Sequence, residues 1–174
     1  MVDVMIADDS GAELPHGEVG EIWAKGALLM QGYYGRPEDT AKSMYGPWFK
    51  TGDVGKLDED NYIYIIDRKT DMIISSGENI YCAEVEKIIG GHPSIEEVVT
   101  FGVPDDRLGE KLIAFIRLKP SEKSAGIEGF AKDKLADYKV PKDFVFSSAD
   151  WPRNAMGKVK KSDLREFYLS KVSP

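Results

Sequence analysis

Short stretches of alternating apolar and polar residues fill the first part of the chain, and helical spacing appears only later. Met1–Ala7 alternates weakly and predicts a strand, while Gly11–Gly17, with Pro15 and His16, predicts a loop. Glu18–Lys25 predicts a second strand whose apolar residues are Val19, Ile22 and Trp23. Pro37–Met44 predicts a short helix, because Pro37 suits the first turn and Glu38 and Asp39 favour the positive N-terminal end. Trp48–Lys50 predicts a short strand ending at Thr51. Val54–Leu57 and Tyr62–Ile66 flank Asp58-Glu59-Asp60-Asn61, a hairpin turn. Residues 1–66 therefore read as a β-rich subdomain.

Beyond Asp67 the period changes. Met72–Ile74 predicts a short apolar strand and Ser75–Asn79 a polar loop. Ala83–Ile89 sets Val85, Ile88 and Ile89 on one helical face, and Gly90 and Gly91 end it. Ile95–Val103 and Lys111–Leu118 predict two strands. In the second, Leu112, Ala114, Ile116 and Leu118 share one face and Ile113 and Phe115 the other, so it should lie between two layers. Ile127–Ala136 predicts a helix facing inward through Ile127, Phe130, Ala131 and Leu135. Tyr138–Pro141 breaks it, and Phe144–Phe146 predicts a short strand. Ser162 is the expected N-cap of a last helix with Leu164, Phe167 and Tyr168 on its apolar face. The fold class is α+β: a β-rich N-terminal subdomain, 1–66, followed by a small α+β sandwich, 67–174.

Composition narrows the function. The 174 residues carry a net charge of −7, which disfavours nucleic acid as a partner. No apolar run approaches the roughly 20 residues of a membrane helix, and residues 1–10 hold acids but no base, unlike a signal peptide. Cys82 is the only cysteine, so no internal disulfide forms and a cytoplasmic location is expected. His16 and His92 lack metal-ligand spacing, and no metal site is expected in this chain.

Four segments hold candidate chemistry. In Thr51-Gly52-Asp53, glycine lets a ligand approach the backbone and the carboxylate can accept both hydroxyl hydrogens of a ribose, although such a tripeptide is most often only a turn. Asp67-Arg68 at a strand end has the bland reading of a surface ion pair. Ser75-Ser76-Gly77-Glu78-Asn79 is, by itself, an ordinary connection. Lys158, after Met156-Gly157 and near Lys160, Lys161 and Arg165, has the bland reading of a solvated basic face. Gly157-Lys158 lacks the rest of a nucleotide P-loop.

Taken together, Thr51-Gly52-Asp53, the run Asp67-Arg68-Lys69-Thr70-Asp71-Met72-Ile73-Ile74-Ser75-Ser76-Gly77-Glu78-Asn79-Ile80-Tyr81 and Pro152-Arg153-Asn154-Ala155-Met156-Gly157-Lys158 closely resemble the C-terminal part of adenylate-forming acyl-CoA synthetases, a superfamily shared with luciferases and peptide-synthetase adenylation domains. The resemblance implies that Asp53 and Arg68 bind the ribose of ATP and of the acyl-adenylate. It makes Asp67 the hinge before a mobile lid. It makes Ser75, Ser76, Gly77 and Glu78 part of a loop lining the coenzyme A tunnel, and Lys158 the catalytic cation between substrate carboxylate and α-phosphate. The sequence departs from the family's pattern at Thr70, where lysine is frequent, at Ser76, where a second glycine is common, and at Cys82, where proline is common. Similarity to medium- or long-chain and aromatic-acid ligases is carried by Asp71-Met72-Ile73-Ile74 and Tyr81. The implied reactants are ATP with Mg2+, CoA and a carboxylic acid, and the implied partner is an N-terminal adenylation domain in cis. The family's phosphate loop and its Tyr-Gly-x-Thr-Glu segment are not in this sequence, so the chain alone is expected to be inactive. A carrier protein as acyl acceptor, and a non-catalytic lid-like binding module, remain the alternatives.

Overall fold

The computed structural model describes residues 2–172. Met1, Ser173 and Pro174, at the ends of the expected first strand and of the expected second domain, lie outside the described residues. The chain divides between Thr70 and Asp71 into two compact units, beyond the boundary after Ile66 drawn from sequence.

The first unit contains β1 (Val2–Ala7), β2 (Gly20–Gly26), α1 (Pro37–Ser43), β3 (Met44–Tyr45), β4 (Trp48–Leu57) and β5 (Ile63–Arg68). They build one antiparallel sheet in the order β1-β2-β4-β3, with β5 also paired to β4. Alternation sends Met5, Ala7 and Trp23 into one cluster and Ile6, Ile22 and Leu57 into another, as a period of two requires. The expected strand ending at Thr51 and its neighbour from Val54 are one ten-residue strand. Thr51-Gly52-Asp53 has turn composition but forms a bulge: Trp23 pairs Lys50 and Glu21 pairs Val54, so Ile22 alone faces the three residues. Gly52 has φ +76, a left-handed conformation that side-chain-bearing residues rarely adopt. Beyond it the hairpin turn forms as expected, with Asp58 Oδ1 accepting from the amides of Asp60 and Tyr62.

The second unit contains β6 (Ile73–Ser75), β7 (Glu78–Ile80), α2 (Cys82–Gly90), β8 (Ile95–Asp105), β9 (Gly109–Leu118), α3 (Ile127–Lys134), β10 (Asp143–Phe146) and α4 (Lys161–Val172). The sheet order is β10-β9-β6-β7, with β8 antiparallel to β9 and β10 parallel to it. The two-faced reading of β9 holds. Leu112, Ala114 and Ile116 join Cys82, Val85 and Ile89 of α2 and Ile127 and Ala131 of α3 in one core. Ile113 and Phe115 join Trp151 and, from α4, Leu164 and Tyr168 in the other. The result is a mixed α+β unit with helices on both sides of one sheet.

Helix ends differ from expectation. α3 stops at Lys134 because Leu135 is already extended, though its side chain still reaches the core. α4 begins at Lys161, so Ser162 lies inside the first turn and its hydroxyl bonds Asp163 Oδ1 instead of capping. Phe167 is 50% exposed, and Leu169 packs against the core. Tyr168 donates its hydroxyl to Asp143 Oδ2, and Lys111 Nζ bonds the same oxygen at 3.1 Å, fastening α4 to β9 and β10. The Tyr168 hydroxyl, and then Lys111, hold the Asp143 carboxyl below its ordinary value. Among the described residues no helix is long and apolar enough to cross a membrane.

Candidate functional site

Asp53 and Arg68 are direct cross-strand partners on β4 and β5, and their side chains meet: Arg68 Nε lies 2.8 Å from Asp53 Oδ1. Two bulges aim them. The Thr51–Asp53 bulge in β4 faces a second irregularity in β5, where Val54 pairs Asp67 and Gly55 pairs Ile65, leaving Ile66 unpaired. A carboxylate beside a planar, exposed guanidinium gives an acceptor and a donor set at one place, the combination needed to grip a vicinal diol. Asp67 lies within β5, before the division after Thr70, and its Oδ1 accepts the Arg68 amide at 2.8 Å.

Beneath this pair is a network that the motif reading missed. Glu21, only 8% exposed, accepts from the Gly52 amide through Oε1 at 3.3 Å and from Lys69 Nζ through Oε2 at 3.1 Å. The hydrogen bond from Lys69 to Asp9, together with Glu21, raises the Lys69 pKa above its ordinary value against the opposing effect of burial. The Lys69 amide also donates to the Gly52 carbonyl at 2.8 Å, and Thr51 Oγ1 donates to the Ile22 carbonyl at 2.7 Å. The bulge is thus held from both flanks. The signal was in the alternation: Glu21 falls on the same strand face as Trp23, and a carboxylate at an inward position needs a partner.

Ser75–Asn79 is not the expected loop but the tip of a tight hairpin. β6 and β7 pair Ile73 with Ile80 and Ser75 with Glu78, joined by Ser76 (φ +53) and Gly77 (φ +85). Two successive left-handed residues make a type I′ turn, which favours glycine or asparagine, so serine at 76 carries strain. Replacing Ser76 by valine is expected to lower the stability of the second unit by about 1–2 kcal/mol, whereas glycine should not lower it. Urea denaturation followed by NMR at residues of that unit decides the matter; equal stability for valine would mean that the turn is not left-handed. The hairpin is fixed to the first end of β9: Ser75 pairs Gly109, and Glu110 Oε2 accepts the Ile74 amide at 3.1 Å.

Lys158 is exposed in a small loop closed by an antiparallel bridge between Arg153 and Val159. Asn154 organises the turn: its Oδ1 accepts the amides of Met156 and Lys158, each at 3.0 Å, and its own amide donates to the Lys158 carbonyl at 2.8 Å. Arg153 Nη1 donates to the Gly157 carbonyl at 3.0 Å. The loop joins the sheet at the other end of β9, where Arg117 and Arg153 converge on Glu97. Gly109 and Arg117 stand about 25 Å apart along an extended strand. The hairpin and the Lys158 loop are therefore carried at opposite ends of the same strand.

Residues 84–158, which run from α2 to Lys158 itself, match the family model of the AMP-binding enzyme C-terminal domain. That match lies wholly within the second unit. Over 167 residues, 95% of this chain, the sequence is 43% identical to a 2-succinylbenzoate–CoA ligase of Geobacillus kaustophilus. Over 171 residues, 98% of the chain, it is 43% identical to the long-chain-fatty-acid–CoA ligase FadD13 of Mycobacterium tuberculosis. The crystal structure of ATP-bound MatB from Rhodopseudomonas palustris superimposes with a TM-score of 0.87 at 36% identity, covering 96% of this chain and 34% of MatB. The chain spans about a third of these relatives' length, 34% of each ligase.

In the second unit, Cys82 is a packed residue: it is buried, and its thiol donates to the Asp71 carbonyl at 3.0 Å. Among the described residues no group of three or more His, Cys, Asp or Glu is gathered for a metal ion.

Proposed function

We propose that this chain is the C-terminal portion of an AMP-forming acid–CoA ligase, with 67–174 as its mobile lid turning about Asp67. The observation that carries this reading is the placement of two functional groups at opposite ends of β9. A rigid unit built this way offers either the Lys158 ammonium or the Ser75–Glu78 hairpin to a given carbon, and two successive steps at that carbon call for both in turn.

In the first step a carboxylate oxygen attacks the α-phosphorus of ATP, the bond to pyrophosphate breaks, and an acyl-adenylate forms. Asp53 and Arg68 hold the ribose. Lys158 faces the carboxylate and α-phosphate oxygens, where negative charge concentrates as they approach. In the second step the CoA sulfur attacks the acyl carbon, the bond to the phosphate oxygen breaks, AMP leaves and the thiol proton passes to solvent. The hairpin backbone lines the path of the pantetheine arm, and its I′ turn keeps that path narrow and fixed.

The test uses the enzyme of ligase length that carries this chain, offered medium-chain, long-chain and aromatic acids. Acid-dependent exchange of labelled pyrophosphate into ATP is expected, followed by thioester formation with CoA. No exchange with any acid overturns the reading, and acyl transfer only to a phosphopantetheinyl carrier protein replaces CoA with that acceptor. The 174-residue chain alone should show no exchange.

A further inference from the structure

Lys158 is exposed, and its amide and carbonyl both pair with Asn154. Its presentation depends on the backbone of residues 153–159, which is tied to β8 through one carboxylate oxygen. Glu97 Oε2, on β8, accepts from Arg117 Nη2 and from Arg153 Nη2, each at 2.6 Å. Arg153 then reaches the Gly157 carbonyl with its other terminal nitrogen, next to Lys158 in sequence. Arg117 is the fixed member. Its side chain is 18% exposed, its guanidinium lies over the buried Trp151 ring at 5.2 Å, and Glu96 and Asp150 lie within 3.5 Å and 3.8 Å. Trp151 in turn packs edge-on against Phe115 of the sheet. A continuous path therefore runs from the core through Arg117, Glu97 and Arg153 to the peptide that precedes Lys158.

We propose that Glu97 and Arg153 are positioning residues for Lys158, forming a clamp that presets the loop before substrate binds. This inference rests on the ligase reading and names residues beyond those that touch the reactants. Without Glu97, Arg153 and Arg117 repel each other across the gap and the loop loses its tie to β8. Without Arg153, the loop keeps Asn154 and the packing of Trp151 and Val159 but loses its tie to Glu97 on β8. A displacement of about 1 Å at a charge-stabilising group costs up to about 100-fold in rate. Because the clamp acts through Lys158, only the step that uses Lys158 should suffer.

The experiment compares Glu97→Ala, Arg153→Ala and the double variant with Lys158→Ala in the full-length enzyme. Pyrophosphate exchange and thioester formation from supplied acyl-adenylate are measured separately. We expect each clamp variant to lower kcat for adenylate formation by about 10- to 100-fold, with KM for ATP and the thioester half-reaction within twofold of the parent. The double variant should be no worse than the poorer single, since both remove one tie. Amide hydrogen exchange at Met156 and Lys158 should accelerate in both single variants of the 174-residue chain. Arg153, 38% exposed, can be removed with little risk to folding, so it carries the test if Glu97→Ala does not fold. Loss in Lys158→Ala with normal adenylation in Arg153→Ala overturns the clamp alone. Normal adenylation in Lys158→Ala overturns the ligase assignment of that lysine, and the clamp with it. Equal loss in both half-reactions also overturns the clamp, because a general folding defect would then explain it.

Discussion

Replacing Lys158 by alanine in the full-length enzyme is expected to slow acyl-adenylate formation by about 10²–10³-fold, the typical loss on removing one fixed donor from a charge-stabilising site. Thioester formation from supplied acyl-adenylate should change little. Lys158 is exposed on a loop built by Asn154, Arg153 and Gly157, so its removal takes away charge without opening a cavity in either core of the second unit. Stability should therefore stay within about 0.5 kcal/mol of the parent. Arginine at 158 should rescue poorly, since a broad planar cation cannot take the place of a compact ammonium. Single-turnover measurement of pyrophosphate release, alongside thioester formation, separates the two steps. Equal loss in both would contradict the division of labour between the Lys158 loop and the hairpin.

The candidate site residues are more legible in sequence than the shapes that hold them. Thr51-Gly52-Asp53 and Asp67-Arg68 are marked by their residue types. That Asp53 and Arg68 lie directly opposite each other follows only once β4 and β5 pair and both bulges are counted. The bulge has the sequence of a turn because glycine and aspartate are common in both, and only register distinguishes them. The hairpin at Ser75–Glu78 escaped for a similar reason. Its strands have three residues each, too few to show a period, and the buried position at its tip is a serine. β9 was legible because apolar residues on both faces of a strand admit one placement, between layers. Glu97 and Arg153 were invisible as partners, since 56 residues separate them and neither interrupts a pattern.

The larger structural effect is expected from Phe115→Ala, which should destabilise the second unit by about 3–5 kcal/mol, the usual range for truncating a buried aromatic ring. Phe115 is 1% exposed at the centre of β9, between Val99 of β8 and Val145 of β10. Its ring meets Phe101 at 5.7 Å, Phe167 at 6.2 Å and Trp151 at 6.4 Å. Phe101 and Trp151 cannot fill the space cheaply. Phe101 and the strand backbones are held by the sheet ladder, and Trp151 is held beneath Arg117. The loss is a sizeable part of the roughly 5–15 kcal/mol that stabilises a small domain. It falls on the side of the sheet where Trp151 leads into the Lys158 loop, so adenylation should become heat-labile before it becomes slow. Ile116→Val, on the opposite face of the same strand, should cost only about 0.5–1.5 kcal/mol. Urea denaturation read from second-unit NMR signals tests both values. A Phe115→Ala loss no larger than that of Ile116→Val would mean that the layer of Trp151 and α4 is not packed on β9.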